Sequence, residues 1–337
     1  MTGAGCGPAH VDAGRELASH AGGYIRIPVG ISSCLLGQAV RYDGGHKLDR
    51  YVTGELGRWF EYVPFCPEAL AGLGIPRPPI RLVGDPAAPR AVRVGNESID
   101  VTGTLDATAH RVVPELEALR GYIFKRGSPS CGMERVKVYQ APGHSPRMGR
   151  GLFARAVMEA YPLLPCEEEG RLNDPSLRES FVERVFAFDR WRRAMDGGFT
   201  PGRLVEFHTR HKLLLLSHSE VHYRAAGRLV AEAGRGEPAR LAEEYLRMFM
   251  EGMKRRATRR RHANVLQHLA GHLKRRIDSS DRQALASLVD EYRTGVVPLV
   301  VPIRLLRHHF RRAPDRYVEM QHYLEPCPDA LGLRNHL

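Results

Sequence analysis

The sequence predicts an α/β domain with a mostly parallel sheet, followed by an all-α helical domain. Three observations carry this reading. Between residues 24 and 165, short β-type runs alternate with helical stretches, the order from which layered α/β domains are built. Beyond residue 203, strand signals almost vanish and apolar residues take helical spacing. The chain has 337 residues, 43% hydrophobic and 26% charged, enough to bury two cores.

Taken in order, residues 1–22 are small and polar and read as a disordered lead-in. The runs "YIRIPVGIS", "EYVPF", "IRLVG", "AVRVG", "GYIF" and "VKVY" read as strands, β-branched or aromatic and bounded by Gly/Pro turns. "TGELGRWF", "ATAHRVVPELEAL" and "GLFARAVMEAY" read as helices, and residues 166–173, "CEEEGRLN", as a loop. Asp174 followed by Pro175 announces a further helix, with an N-cap and a proline in the first turn. Gly197, Gly198, Pro201 and Gly202 mark a hinge, which bounds a first domain at 23–198. The helical domain then spans 199–325, its breaks falling at Gly234–Gly236, Ser279–Ser280 and Val297–Pro298, and 326–337 form a tail. Within it, 239–277 reads as one continuous helix.

No apolar run approaches the roughly 18 residues needed to span a bilayer. The N-terminal stretch has no apolar core of a secretory signal, so the sequence predicts a cytoplasmic protein without membrane contact. The net charge of +12 is uneven: residues 201–337 hold 25 Lys and Arg against 15 Asp and Glu. Such an excess in one domain attracts a polyanion. "MKRRATRRRHANVLQHLAGHLKRR" concentrates it in Lys254, Arg255, Arg256, Arg259, Arg260 and Arg261. On a helix, Arg256, Arg260 and Lys274 would face one way, toward phosphate backbones or simply toward water. Few aromatics are interleaved, so shape and phosphate recognition is expected rather than base stacking. His208 with His211, and His218 with His222, have spacings that suit a metal on a helix. They lack an accompanying acidic or thiolate ligand, which favours ordinary core or surface histidines.

The six cysteines, at 6, 34, 66, 131, 166 and 327, are widely separated and form no CxxC pair. That pattern disfavours a disulfide framework and a zinc ribbon. Cys34 in "VGISSCLLG", Cys66 in "YVPFCPEAL" and Cys131 in "GYIFKRGSPSCG" each follow a predicted strand and sit on the verge of a turn or helix. In an open α/β sheet, strand ends line the crevice where ligands bind, so three distant thiols can meet there. Helix N-termini facing them would lower their pKa values and favour thiolates, which suit zinc or iron–sulfur clusters. The alternative is three inert buried thiols. Cys6 and Cys327 read as incidental, while the role of Cys166 is open.

"ISSCLLGQAVRYDGG", "FCPE" and "RGSPSCG" together resemble the TudS family of iron–sulfur-dependent thiouracil desulfidases. "YPLLPCEEEGRL" is similar too, with Cys166 where a small apolar residue would be expected. "EFHTRHKLLLLSHSEVHYRAAGRLV" resembles the YbgA-type domain, and the fusion resembles the RudS desulfidases that act on 4-thiouridine in tRNA. The resemblance covers roughly residues 24–325. It implies a [4Fe-4S] cluster held by Cys34, Cys66 and Cys131, with one iron lacking a protein ligand. It also implies catalytic roles for Glu68 and Ser128, and tRNA as partner of the basic domain. The implied reaction is a non-redox, hydrolytic desulfuration of 4-thiouridine to uridine with release of sulfide. Glu68 would activate the water, or else cap the following helix. Ser128 would donate a hydrogen bond or relay a proton, or else only shape its turn. Asp43 is either a turn residue or a substrate contact. Arg126, with Lys125, meets a nucleotide phosphate or is a solvated loop charge. Two rival readings change the substrate to free thiouracil or a thionucleotide, or make the protein a non-enzymatic iron–sulfur RNA-binding sensor.

Overall fold

The computed structural model describes residues 26–140, 146–235 and 237–336. The lead-in expected at 1–22, with Cys6, lies outside them. Along the chain run β1 (Ile27–Ser32), α1 (Arg50–Gly54), β2 (Phe60–Phe65), α2 (Pro67–Leu70), β3 (Ile80–Asp85), β4 (Ala88–Arg93) and β5 (Asn96–Asp100). Then come α3 (Thr102–Val112), β6 (Gly121–Phe124), β7 (Val136–Tyr139), β8 (Arg147–Gly149), α4 (Leu152–Ala160), β9 (Cys166–Glu168) and α5 (Pro175–Ala194). The remainder is helical: α6 (Pro201–His218), α7 (Glu220–Ala231), α8 (Pro238–Met253), α9 (Arg259–His272), α10 (Ser279–Thr294), α11 (Val300–Arg312) and α12 (Arg316–Glu319).

Two sheets form. The first has the order β2-β1-β6-β9 and is parallel throughout, with Ile27 opposite Phe60, Ile31 opposite Ile123, and Tyr122 opposite Cys166. Its central strands β1 and β6 are apolar on both faces, as a covered parallel sheet requires. Tyr122 and Phe124 point into one core and Ile31 and Ile123 into another. The second sheet, β5-β4-β3-β7-β8, is mixed; only β3 and β7 run parallel. Residues 166–168, expected as loop, are strand β9, because pairing with β6 outweighs the poor strand propensity of Cys-Glu-Glu.

Helix α5 lies against the parallel sheet at close range. A Cβ on Gly121 would stand 2.8 Å from Val185, so only glycine admits this approach. Asp174 caps α5 by accepting hydrogen bonds from the amides of Ser176 and Leu177. Side-chain caps also set the helical breaks: Thr200 starts α6, Ser219 starts α7 and Asp278 starts α10. The single helix expected over 239–277 is two. It stops at Met253, and Thr258 accepts from the Arg261 amide to begin α9.

The glycines at 197 and 198 do join α5 to α6, but one apolar core runs across them from Phe65 and Tyr122 to Phe249 and Tyr323. The expected tail at 326–337 is also anchored in the core through its described residues. Cys327 and Leu333 are buried, and Arg334 is an internal cation held by Glu183 at 2.9 Å. Among the described residues no helix is long and apolar enough to cross a membrane.

Candidate active site

The C-terminal ends of three adjacent parallel strands converge on one cavity. Cys34 lies two residues past β1, in the short turn Ser33–Leu36. Cys66 directly follows β2 and is the N-cap residue of α2, with Pro67 at the first helical position. Cys131 lies beyond β6 in a loop docked on the start of α4, where the amides of Leu152 and Phe153 donate to the carbonyls of Pro129 and Ser130. The docking is tight: a Cβ on Gly151 would stand 2.6 Å from the Ser130 carbonyl. All three thiols line a cavity of about 330 Å³, together with Glu68, Ser128 and Arg126.

The thiols act on one another. Burial, then the neighbouring Cys66, pushes Cys34 up to about 11. Burial and then Cys66 push Cys131 well up, and burial raises Cys66. The expected lowering by helix N-termini is therefore reversed, since desolvation outweighs a one-turn helix. Three such thiols become thiolates only by taking up a cationic centre, as metal ligands do. Among the described residues no three His, Cys, Asp or Glu side chains gather closely enough for a single metal ion. The trio lines one cavity, and three soft sulfur donors are the kind of set that holds an iron–sulfur cluster. All three are free thiols.

Glu68 faces this cavity but is neither loose nor a helix cap. Arg77 donates to its Oε2 from Nε at 2.9 Å and from Nη2 at 2.8 Å, and Ser130 Oγ donates to Oε1 at 2.9 Å. Arg77 is buried and also donates to the carbonyls of Val40 and Gly74. Ser128 shapes its turn: its Oγ accepts from the amides of Ser130 at 3.2 Å and Cys131 at 3.0 Å, leaving its own O–H free to donate. Arg126 lines the mouth of the cavity, its amide donating to Glu169, which also pairs with Lys125. Asp43 does not line the cavity. Its Oδ1 accepts from the Gly45 amide at 3.0 Å, which holds its carboxyl below the usual range, and Arg41 stands 3.4 Å away. It is a turn residue.

Sequence reasoning missed Arg77, Ser130 and Ser32. Ser32 is buried beside Cys131 and accepts from the Lys125 amide at 2.9 Å. The one cue for Arg77 was a solitary charge inside the proline-rich "GIPRPPI". Cys166 is a core thiol on β9, pushed up to about 12 by burial, and does not line the cavity. Cys327 is likewise buried in the core.

The helical half carries a separate groove of about 880 Å³, lined by Lys212, Arg224, Arg260, Arg261, His268 and Arg293 among others. The basic run is split: Lys254, Arg255 and Arg256 lie on the turn after α8, Arg259, Arg260 and Arg261 open α9, and Lys274 lies past its end, so Arg256, Arg260 and Lys274 do not share one helix face. Part of it is spent structurally: Lys254 donates to the Pro162 carbonyl, Arg259 to that of Tyr292, and Arg261 to those of His218 and Arg256. Arg255, Arg256 and Arg260 are exposed and find no acceptor among the described residues. Each histidine of the two pairs meets a protein group: His208 the Tyr245 hydroxyl, His211 the Phe207 carbonyl through Nδ1, His218 Glu183, and His222 Ser219.

Residues 29–169 match the family described as 2-thiouracil desulfurase, and residues 212–328 match a family of unknown function, DUF1722. The chain is 34% identical over 161 residues to the uncharacterized protein YbgA of Escherichia coli K12, covering 47% of this chain and 94% of that one. It is also similar, at 29% identity, to the solved structure of a [4Fe-4S]-dependent thiouracil desulfidase, TudS, covering 47% of this chain and all of that one with a TM-score of 0.37. The chain thus belongs to the family of YbgA and joins a 2-thiouracil desulfurase-type domain to a YbgA-type domain.

Proposed function

We propose that Cys34, Cys66 and Cys131 hold a [4Fe-4S] cluster and that the cavity removes sulfur from a thiolated pyrimidine, 4-thiouridine in tRNA. The observation that carries this reading is the convergence of three thiols from adjacent strand ends on one cavity. Bound there, the cluster would supply Lewis acidity toward a soft thiocarbonyl sulfur. The reaction is hydrolytic. Water oxygen bonds to C4, the C–S bond breaks with its electron pair going to sulfur, and the water protons leave with sulfide or buffer. No net electron is transferred.

Glu68 accepts the proton of the attacking water, while Arg77 and Ser130 fix the carboxylate so that it faces the cavity. The Ser128 hydroxyl donates to the pyrimidine. Arg41 and Arg126, both lining the mouth, meet the nucleotide phosphate. The unpaired Arg255, Arg256 and Arg260 bind the RNA backbone, with the modified base turned out of its stack. A reducing, cytoplasmic setting suits three free thiols. The alternative is a free thiopyrimidine or thionucleotide as the substrate.

The test is to reconstitute the protein anaerobically, incubate it with total tRNA, and measure 4-thiouridine by nucleoside mass spectrometry. Loss of 4-thiouridine with sulfide release is expected. Cys34→Ala, Cys66→Ala and Cys131→Ala should each lose the cluster absorbance and the activity, whereas Cys166→Ala keeps both. The triple variant Arg255→Gln/Arg256→Gln/Arg260→Gln should weaken tRNA binding and flatten its salt dependence, with a small thionucleotide still processed. Turnover of the free base with tRNA untouched would select the alternative substrate.

A further inference from the structure

Arg190, on α5, is a half-buried cation that no carboxylate pairs directly. Its guanidinium carbon lies 5.8 Å from the Phe186 ring centre, and its Nη1 finds no hydrogen-bond partner among the described residues. Burial pushes its pKa down. The nearby carboxylates are committed elsewhere. Asp189 holds Arg193 at 2.7 Å and lies 3.6 Å from Arg120, Glu325 lies 3.3 Å from Arg307, and Glu183 holds Arg334 and His218. A buried guanidinium nitrogen left unpartnered is costly unless something else supplies an acceptor.

Arg190 lines a cavity of about 260 Å³ between α5, α6 and the segment around His322. A second buried group points to a ligand in the same place. His211 is 1% exposed, and its Nε2 has no partner. Its Nδ1 lies 2.8 Å from the Phe207 carbonyl, an acceptor, so Nδ1 carries the hydrogen. Burial, then His322 and Arg190, holds His211 well below the usual histidine range, so Nε2 presents a lone pair. Arg203 and Arg210 complete the charged lining, opposed by Glu206 alone, which Arg210 already binds at 2.7 Å. Arg203 donates to the carbonyls of Asp196 and Gly198.

We propose that this cavity binds a protonated tetrahedral oxyanion of the phosphate class, with its oxygens on Arg190 and its O–H donating to His211 Nε2. The pairing of an unmatched cation with a buried acceptor distinguishes hydrogen phosphate from sulfate and chloride, which have no hydrogen to give. Free phosphate and a phosphomonoester share this chemistry, whereas a backbone phosphodiester does not. The inference is independent of the three-thiol cavity.

Isothermal titration of the full chain with inorganic phosphate, and thermal unfolding in phosphate, sulfate or chloride at matched ionic strength, test it. Phosphate should bind with unit stoichiometry, and at ten times its Kd should raise Tm by about 2 °C. Sulfate should do neither. Arg190→Met should lose at least tenfold in phosphate affinity, whereas Arg275→Gln, on a remote exposed segment, should keep it. Competition by uridine 5′-monophosphate would assign the site to a monoester, and its failure to compete would assign it to the free ion. Wild-type protein that answers phosphate and sulfate alike, or Arg190→Met that binds phosphate normally, overturns the proposal. Because the ion selectivity is read on wild-type protein, the test survives a variant that does not fold.

Discussion

Two carboxylates here are pinned by a buried arginine, Glu68 by Arg77 beside the three thiols and Glu183 by Arg334 at the joint between the sheet and the helices. Locally they look alike, yet their surroundings differ. Glu68 gives its oxygens to Arg77 and Ser130 but still faces an open cavity. Glu183 is shut in. It accepts from Arg334 on one oxygen and lies 3.1 Å from His218 Nε2 on the other, and its side chain is 2% exposed. Burial opposes its charge, but Arg334 and then His218 hold its pKa down at about 2. The same kind of pair thus aims a carboxylate at an open cavity in one place, and in the other fastens two parts of a fold out of reach of solvent.

Substitutions can break that comparison. Glu68→Gln keeps an oxygen for Arg77 but removes the base. Turnover should fall by about 10²–10⁴, the usual worth of a positioned base, with the cluster spectrum retained. Equal activity would remove Glu68 from the chemistry. Arg334→Met should act on stability instead, costing about 3–5 kcal/mol in denaturant unfolding because Glu183 loses its main partner. Activity per folded molecule should be unchanged.

The smallest effect sharpens the contrast. Glu179 stands 3.4 Å from Arg334, yet its Oε1 makes no hydrogen bond, and burial, then Glu183, raises it to about 8. The folded chain therefore holds a proton that the unfolded chain has released, from the unfolded carboxylate value near ~4.5 up to about 8. Glu179 stabilises the fold below that window, and its contribution is lost as pH rises through it. Tm measured against pH should slope downward there, and Glu179→Gln should flatten the slope.

The three-thiol half of the site was readable in the sequence, because each thiol lies shortly after a strand-like run and amid Pro, Gly or Ser punctuation. The half that orients Glu68 was not. Arg77 and Ser130 reach it from separate loops, nine and 62 residues away along the chain, and no periodicity links them. Helical content was legible from apolar spacing, but the stop between α8 and α9 was not. No Gly or Pro marks residues 254–258, and the break depends on a single threonine hydroxyl. Strand β9 depends on its partner β6 rather than on its own residues. The burial of 326–336 was hidden for a similar reason: short turns and one arginine bind there by contacts from distant helices.

Helix α5 offers Phe181 and Val185 to one apolar cluster and Phe188 and Trp191 to the other. Anyone trimming this gene at the glycine pair to obtain a minimal catalyst would keep the helix but strip its far side of cover. The product would be a sticky fragment, and its poor solubility would say nothing about whether the thiol pocket works.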